Sequence, residues 1–358
     1  MEVKQILKAL RENNIDISLN GNNIQIHSEN PEIPSHLLDN LKKNKQNIID
    51  YLRNSASSEV DYQSIPNIDH QPSYLLSSAQ KRLWVMSQFE EGNVAYNIPG
   101  IYVFEGDLQK DILEHSFKTL IERHEILRTV FKEDDMGEIK QWIKKTEDTD
   151  FKIEYSDFRH LSDYEQKIQP ILQSQIESPF DLINGLLLRA HLIQIADKKF
   201  IFSYTMHHII SDSWSMGVMI RELMLLYNSY SKKLPNPLSP LRIQYKDYAA
   251  WQQNQLGNEQ LDSHKSYWLN MFSGEIPVLE MATDRLRPAI KTYNGGNLSK
   301  TIDKDLVTKF KNLNKKNGTT LFMGLLAAVN ALLYRYTNQE DIVIGSPIAG
   351  REHVDLEE

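Results

Sequence analysis

Phe200-Ile201-Phe202-Ser203-Tyr204-Thr205-Met206-His207-His208-Ile209-Ile210-Ser211-Asp212-Ser213-Trp214-Ser215 is the most informative stretch of the chain. A run of β-formers ends in two adjacent histidines. A short loop with an aspartate follows, and then an apolar-periodic segment from Trp214 to Tyr230. The pattern predicts strand, loop, helix. Successive strand side chains point to opposite faces. A strand carried through both histidines therefore buries one as a structural group and turns the other toward a cleft. Asp212, at the helix start, can cap backbone N–H groups or anchor a cation. A histidine titrating near neutrality suits proton transfer from an attacking ammonium or hydroxyl. The plain alternative is a core histidine pair in a packed strand. Zinc would need a third ligand cluster that the sequence does not supply. The G-x-S-x-G elbow of serine hydrolases is absent.

Around this stretch, strand and helix patterns alternate. Ile101 to Phe104 predicts a strand, and Leu113 to Arg123 an amphipathic helix. Leu234-Pro235-Asn236-Pro237 and Pro240 mark a break between two lobes. Thr320 to Tyr336 predicts a strongly apolar helix, and Ile342 to Ile344 a short buried strand. Residues 55–72 carry polar and proline signals without periodicity and read as a linker. Ahead of it, Val3, Ile6, Leu7 and Leu10 recur at helical spacing. Ile15, Ile17 and Leu19 then alternate with polar residues, as do Ile24 and Ile26. Asn20-Gly21-Asn22-Asn23 between them is a hairpin turn signal. Leu37, Leu38 and Leu41, then Ile48, Ile49 and Leu52, complete an order of helix, hairpin, helix, helix over residues 1–54.

The 358 residues suffice for one small unit and one large domain. The formal charge of −8 leaves no basic excess for nucleic acid. No apolar run is long enough for a membrane span, and the N-terminus has no signal-peptide core. The absence of cysteine excludes disulfides and thiolate chemistry and predicts a cytoplasmic protein.

His207-His208-x-x-x-Asp212 resembles the HHxxxDG motif of condensation domains, the amide-forming acyltransferases of nonribosomal peptide synthetases. Four further stretches resemble the family's other motifs, in its order. They are Ser77-Ser78-Ala79-Gln80-Lys81-Arg82-Leu83-Trp84, Arg123-His124-Glu125-Ile126-Leu127-Arg128-Thr129-Val130-Phe131, Tyr245 to Trp251, and Ile344 to Arg351. The resemblance implies an α/β (α+β), chloramphenicol-acetyltransferase-like two-lobe fold, with lobes at 73–240 and 241–358. The second lobe is expected to be incomplete, which leaves the tunnel open and activity in doubt. The catalytic motif is His207, His208 and Asp212. His208 faces the tunnel, as base or as hydrogen-bond partner, and His207 is structural. Asp212 pairs with Arg351. Arg123 and Arg128 fix local carboxylates, and Trp84 and Trp251 pack. No cofactor is bound by the chain. The substrates are thioesters on the 4'-phosphopantetheine arms of donor and acceptor peptidyl carrier proteins. Ser213 departs from the usual glycine, and its Cβ narrows the backbone and the space above the site. Ser211 to Met216 and Asp284 to Pro288 resemble the subtype that joins two L-residues. A stand-alone acyltransferase using acyl-CoA and an inactive binding module are the competing readings.

Residues 1–54 resemble the tubulysin-synthetase type of docking domain, with αββαα order. Such domains add the C-terminal tail of an upstream subunit as a strand on the hairpin edge. By this resemblance Ile24, Gln25 and Ile26 receive the tail. Lys4, Lys8 and Arg11, with Lys42, Lys43 and Lys45, meet its acidic side chains.

Overall fold

The computed structural model describes residues 6, 10, 15–20, 23–28, 34–49, 64–257, 260–286, 288–289, 292–293, 295–296, 298–351 and 353–357. The chain divides into two compact units, Met1–Ser64 and Ile65–Glu358.

In the first unit, β1 (Ile15–Asn20) pairs antiparallel with β2 (Asn23–Ser28). Ile17 lies opposite Ile26, which places the alternating isoleucines of both strands on one face. Helix α1 (Ser35–Lys43) follows, and residues 45–49 are helical again. Ile6, Leu10, Ile15, Leu37, Leu41 and Ile48 make the core, with Ile17 and Ile24 packed against it. Ile26 keeps about a third of its surface in solvent (36%). Lys45 Nζ donates to Asn23 Oδ1 at 3.0 Å. Lys4, Lys8 and Arg11, the Gly21-Asn22 tip of the predicted turn, Leu52 and residues 55–63 of the predicted linker lie outside the described residues.

The second unit begins without regular structure, yet Ile65 is fully buried, so this end of the predicted linker is packed. Helix α2 (Ser78–Ser87) starts with a capping box: Ser77 Oγ accepts from Gln80 N–H, and Gln80 Oε1 accepts from Ser77 N–H. Then come α3 (Glu90–Ala95), β3 (Asn97–Glu105) and α4 (Lys110–Arg123). A hairpin of β4 (Thr129–Glu133) and β5 (Ile139–Ile143) precedes β6 (Ile153–Asp157), α5 (Tyr164–Glu177), β7 (Leu188–Ala196) and β8 (Lys199–His207). Helices α6 (Ser213–Ser231), α7 (Tyr245–Leu256), α8 (Gln260–Met271), α9 (Lys304–Lys316) and α10 (Leu321–Thr337) complete it. The main sheet runs β3-β8-β7-β6, with β6 parallel to β7 and the other pairs antiparallel.

Strand β8 is internal and buried on both faces, which explains its near-continuous apolar run. Phe202 faces α4, its ring 5.7 Å from that of Phe117. Thr205 and His207 face the other side, opposite Arg189 and Asn97. Arg189 Nε and Asn97 Nδ2 there donate to the carbonyls of Gln175 and Ile176 at the end of α5.

The predicted strand at Ile342–Ile344 is not formed. Residues 341–350 have no regular structure, and Val343 is half exposed. Among the described residues no strand follows β8, so this segment has no ladder to join. Helix α10 is where the apolar pattern predicts it, but it buries no residue, and Phe322 and Leu332 are more than half exposed. Among the described residues no single helix is long and apolar enough to cross a membrane.

Candidate active site

Strand β8 stops at His207, and His208 opens a tight turn in which Ile210 N–H donates to the His207 carbonyl at 3.1 Å. The two rings diverge. His207 is fully buried under α5, edge-on to Phe180 at 6.3 Å, and its Nδ1 accepts from Ile209 N–H at 3.2 Å. His208 is exposed. Its backbone N–H donates to the Tyr96 carbonyl at 2.8 Å, and its ring lies edge-on to Tyr96 at 6.3 Å.

Burial, and then the neighbouring His208, pushes His207 down to about 4, against an opposing backbone contact with Asn93. The ring is therefore neutral near pH 7. The unfolded chain, with an ordinary histidine near 6.5, binds the proton more readily than the fold does. Stability then rises with pH between about 4 and 6.5, and below that window the fold has lost about 3 kcal/mol. We expect His207→Asn, which keeps an acceptor toward Ile209, to flatten this part of the acid dependence. Urea midpoints measured from pH 7 to pH 4 check it; an unchanged slope would remove the assignment.

Asp212 is the N-cap of α6. Its Oδ1 accepts from Ser215 N–H at 2.8 Å and from Ser215 Oγ–H at 2.7 Å. Arg351 Nη2 donates to Asp212 Oδ2 at 3.1 Å and reaches Ser215 Oγ at 3.4 Å. Burial pushes the carboxyl up, but the Ser215 hydrogen bonds and the Arg351 charge outweigh it and hold Asp212 below the usual carboxylate range. The loop after His208 is thus tied at an ionised carboxylate. Ser213 is the exposed first residue of α6 and its φ is not positive, so its Cβ strains nothing.

Behind this loop the other motif residues form one scaffold. The hydroxyls of Ser77 and Tyr245 bond at 2.9 Å, and Ser78 N–H donates to Gln252 Oε1 at 2.8 Å. Lys246 pairs with Glu125 at 2.8 Å, and Gln244 Nε2 donates to the Arg123 carbonyl at 2.9 Å. Arg123 and His124 both hold the buried Glu222 of α6, at 3.2 and 2.6 Å. Arg128 donates to the Lys144 carbonyl at 2.6 Å and faces Glu125 at 3.8 Å. Trp84 packs on the core, and Trp251 lies against His353. Ser215 and Glu222 were not singled out from the sequence. The Asp212-x-x-Ser215 cap spacing is a usable signal for the first, whereas Glu222 carries none. Of the docking residues, Ile24, Gln25 and Ile26 lie together on β2, which pairs only with β1 among the described residues. Arg287, in the subtype segment, lies outside the described residues. A hollow of about 310 Å³ beside Phe200 and Leu192 sits at the other end of β8. A second, of about 320 Å³, lies between α9 and α10, and neither is lined by His208.

The family model for the Condensation domain matches residues 70–358, and that for the TubC N-terminal docking domain matches residues 3–54. Bacitracin synthase 3 of Bacillus licheniformis is 41% identical over 307 residues, 86% of this chain and 5% of that protein. Gramicidin S synthase 2 of Brevibacillus brevis is 40% identical over 296 residues, 83% of this chain and 6% of that protein. The chain therefore spans only a small part of these curated relatives. Among solved structures, the X-domain from teicoplanin biosynthesis superposes with a TM-score of 0.71 at 25% identity, covering 82% of this chain and 64% of that one. The starter condensation domain of rhizomide synthetase superposes with a TM-score of 0.59 at 20% identity, covering 79% of this chain and 64% of that one. These likenesses show the two-lobe condensation-type α/β fold.

Proposed function

Since this chain belongs to the condensation-domain family of nonribosomal peptide synthetases and carries a TubC N-terminal docking domain, we propose that it forms peptide bonds between two carrier-bound thioesters. Donor and acceptor are presented on the 4'-phosphopantetheine arms of partner carrier proteins, in the cytoplasm, after the first unit has captured the tail of an upstream subunit. We place the boundaries at 1–54 for docking, 55–72 for the linker, and 73–240 and 241–358 for the two lobes.

The observation that carries this reading is the split of the histidine pair, with one ring buried and neutral and the other open beside a braced loop. The acceptor amine attacks the donor carbonyl. A C–N bond forms, the C–S bond breaks, and the proton leaving nitrogen passes by way of His208 to the departing thiolate of the donor arm. An amine is nucleophilic once neutral, so orientation supplies much of the acceleration. His207, Asp212 and Arg351 hold His208 in place.

The test is single-turnover condensation in the intact subunit with loaded carrier proteins. Peptide formed from free acyl-CoA at the same rate, without a donor carrier, would favour a stand-alone acyltransferase instead. A second reading, a binding module without turnover, is favoured by the X-domain likeness, since that domain is also known in complex with OxyB. Tail binding with no condensation would select it. For the docking unit, we expect deletion of residues 1–54 to abolish binding of the upstream tail. Among the described residues β2 pairs only with β1, which supports adding the tail at its other edge. Calorimetry with the tail peptide decides; an affinity unaffected by the deletion would remove docking from the proposal.

A further inference from the structure

Arg351 is not held to Asp212 by its own pair alone. Four residues on, Asp355 has a largely buried carboxylate (side chain 8% exposed). Its Oδ2 accepts from the backbone N–H of Ile65 at 2.9 Å and from Arg242 Nη2. Arg242 Nη1 in turn donates to the Ile65 carbonyl at 2.9 Å. The guanidinium and the backbone of one residue, Ile65, thus close a ring around a single carboxylate. On one side of this ring the His353 ring lies 5.5 Å from Trp251 of α7, and its Nδ1 accepts from Asp355 N–H at 3.2 Å. On the other, the Glu357 carbonyl accepts from Trp214 Nε1 at 3.2 Å. Trp214 is the second residue of α6, two beyond Asp212. The chain carrying Arg351 is therefore anchored on α7, on Ile65 and on the start of α6. Arg351 itself is the anchor that reaches the loop after His208. Without these contacts Arg351 would hang on an irregular segment, 341–350, that makes no ladder hydrogen bonds. A part-exposed ion pair on such a segment contributes little by itself, because fixing a long side chain costs entropy. A charge-assisted bond to a buried carboxylate is the stronger restraint.

We propose that Asp355, with Arg242, is a positioning residue: it clamps the chain at Ile65 so that Arg351 reaches Asp212 beside His208. The clamp stands on geometry alone. Its consequence for condensation rests on the proposed function, and the two are tested separately.

In this chain, nitrogen-labelled indole resonances and amide exchange report the clamp. We expect Asp355→Ala and Arg242→Met to move the Trp214 indole resonance and to speed exchange of the Ser215 amide about tenfold. The Trp142 indole, bonded to the Lys132 carbonyl in the β4–β5 hairpin, should stay in place. Arg351→Ala should speed Ser215 exchange equally, and adding Asp355→Ala to it should add nothing. Unmoved Trp214 and Ser215 signals in a folded variant would overturn the clamp, as would full additivity of the two substitutions. If Asp355→Ala loses the Trp142 signal and so fails to fold, Asp355→Asn is compared by the same readouts. In the intact subunit, Asp355→Ala should lower kcat about tenfold with KM unchanged. Asp355→Asn, which still accepts from Ile65, should recover part of the loss. A change confined to KM would overturn the positioning role. Failure of the unmodified subunit to condense would sink the functional reading while leaving the indole result standing.

Discussion

His208→Ala in the intact subunit is expected to reduce peptide formation by about 10²- to 10⁴-fold, the range for removing a positioned proton-transfer group. Its stability should move by no more than about 0.5 kcal/mol, because the ring it removes lies in solvent. The backbone bonds, from His208 N–H to the Tyr96 carbonyl and from Ser211 N–H to the His208 carbonyl, survive the substitution. The neighbouring position separates the two roles. His207→Ala empties a fully buried site under Phe180 and α5, so its loss of activity should come with a lower melting temperature. Rapid-quench measurement of product, paired with thermal melts, reads both variants. Product from His208→Ala at the unmodified rate would end the assignment, whatever His207→Ala does.

The burial of His207 is legible in the apolar run of β8, but the strand expected to carry through both histidines ends at His207. A strand buried on both faces buries its last side chain, His207, whereas His208 lies past the strand end and owes its exposure to the turn, not to alternation along a strand. The β1–β2 hairpin and the helices around Leu113–Arg123 and Trp214–Tyr230 are legible because local periodicity reports them directly. What the pattern could not report is who meets whom across long separations. Glu222 is an ordinary helix carboxylate until α4 brings Arg123 and His124 against it. Asp355 is an ordinary acid near the chain end until Arg242 and Ile65 surround it. Ile342–Ile344 has strand chemistry, but a strand is a pairing and no partner strand lies beside it among the described residues. Ser213 shows the converse. Its departure from glycine looks restrictive in a motif, yet the backbone there is helical, the residue is exposed and its φ is not positive, so the Cβ strains no backbone.

Glu222→Ala is expected to destabilise the second unit by about 3 kcal/mol, the cost of leaving buried charge without its partner. Burial pushes the Glu222 carboxyl up. The hydrogen bond and charge of His124, with those of Arg123, more than reverse this, so Glu222 is held below the ordinary range and is ionised. Truncating it strands the Arg123 guanidinium, whose side chain is only 14% exposed, with the Ser239 carbonyl as its remaining acceptor. The size of the effect does not mean that the triad stabilises the fold by that amount, since desolvating the three groups offsets their attraction. Replacing all three by apolar residues of similar volume, Arg123→Met with His124→Leu and Glu222→Leu, should therefore restore most of the loss. Urea unfolding of the single and triple variants distinguishes the cases. A triple variant as unstable as Glu222→Ala would mean that the network is itself a net source of stability. A single variant within about 0.5 kcal/mol of the parent would mean that Arg123 finds solvent, and that α4 and α6 are held by their apolar faces alone.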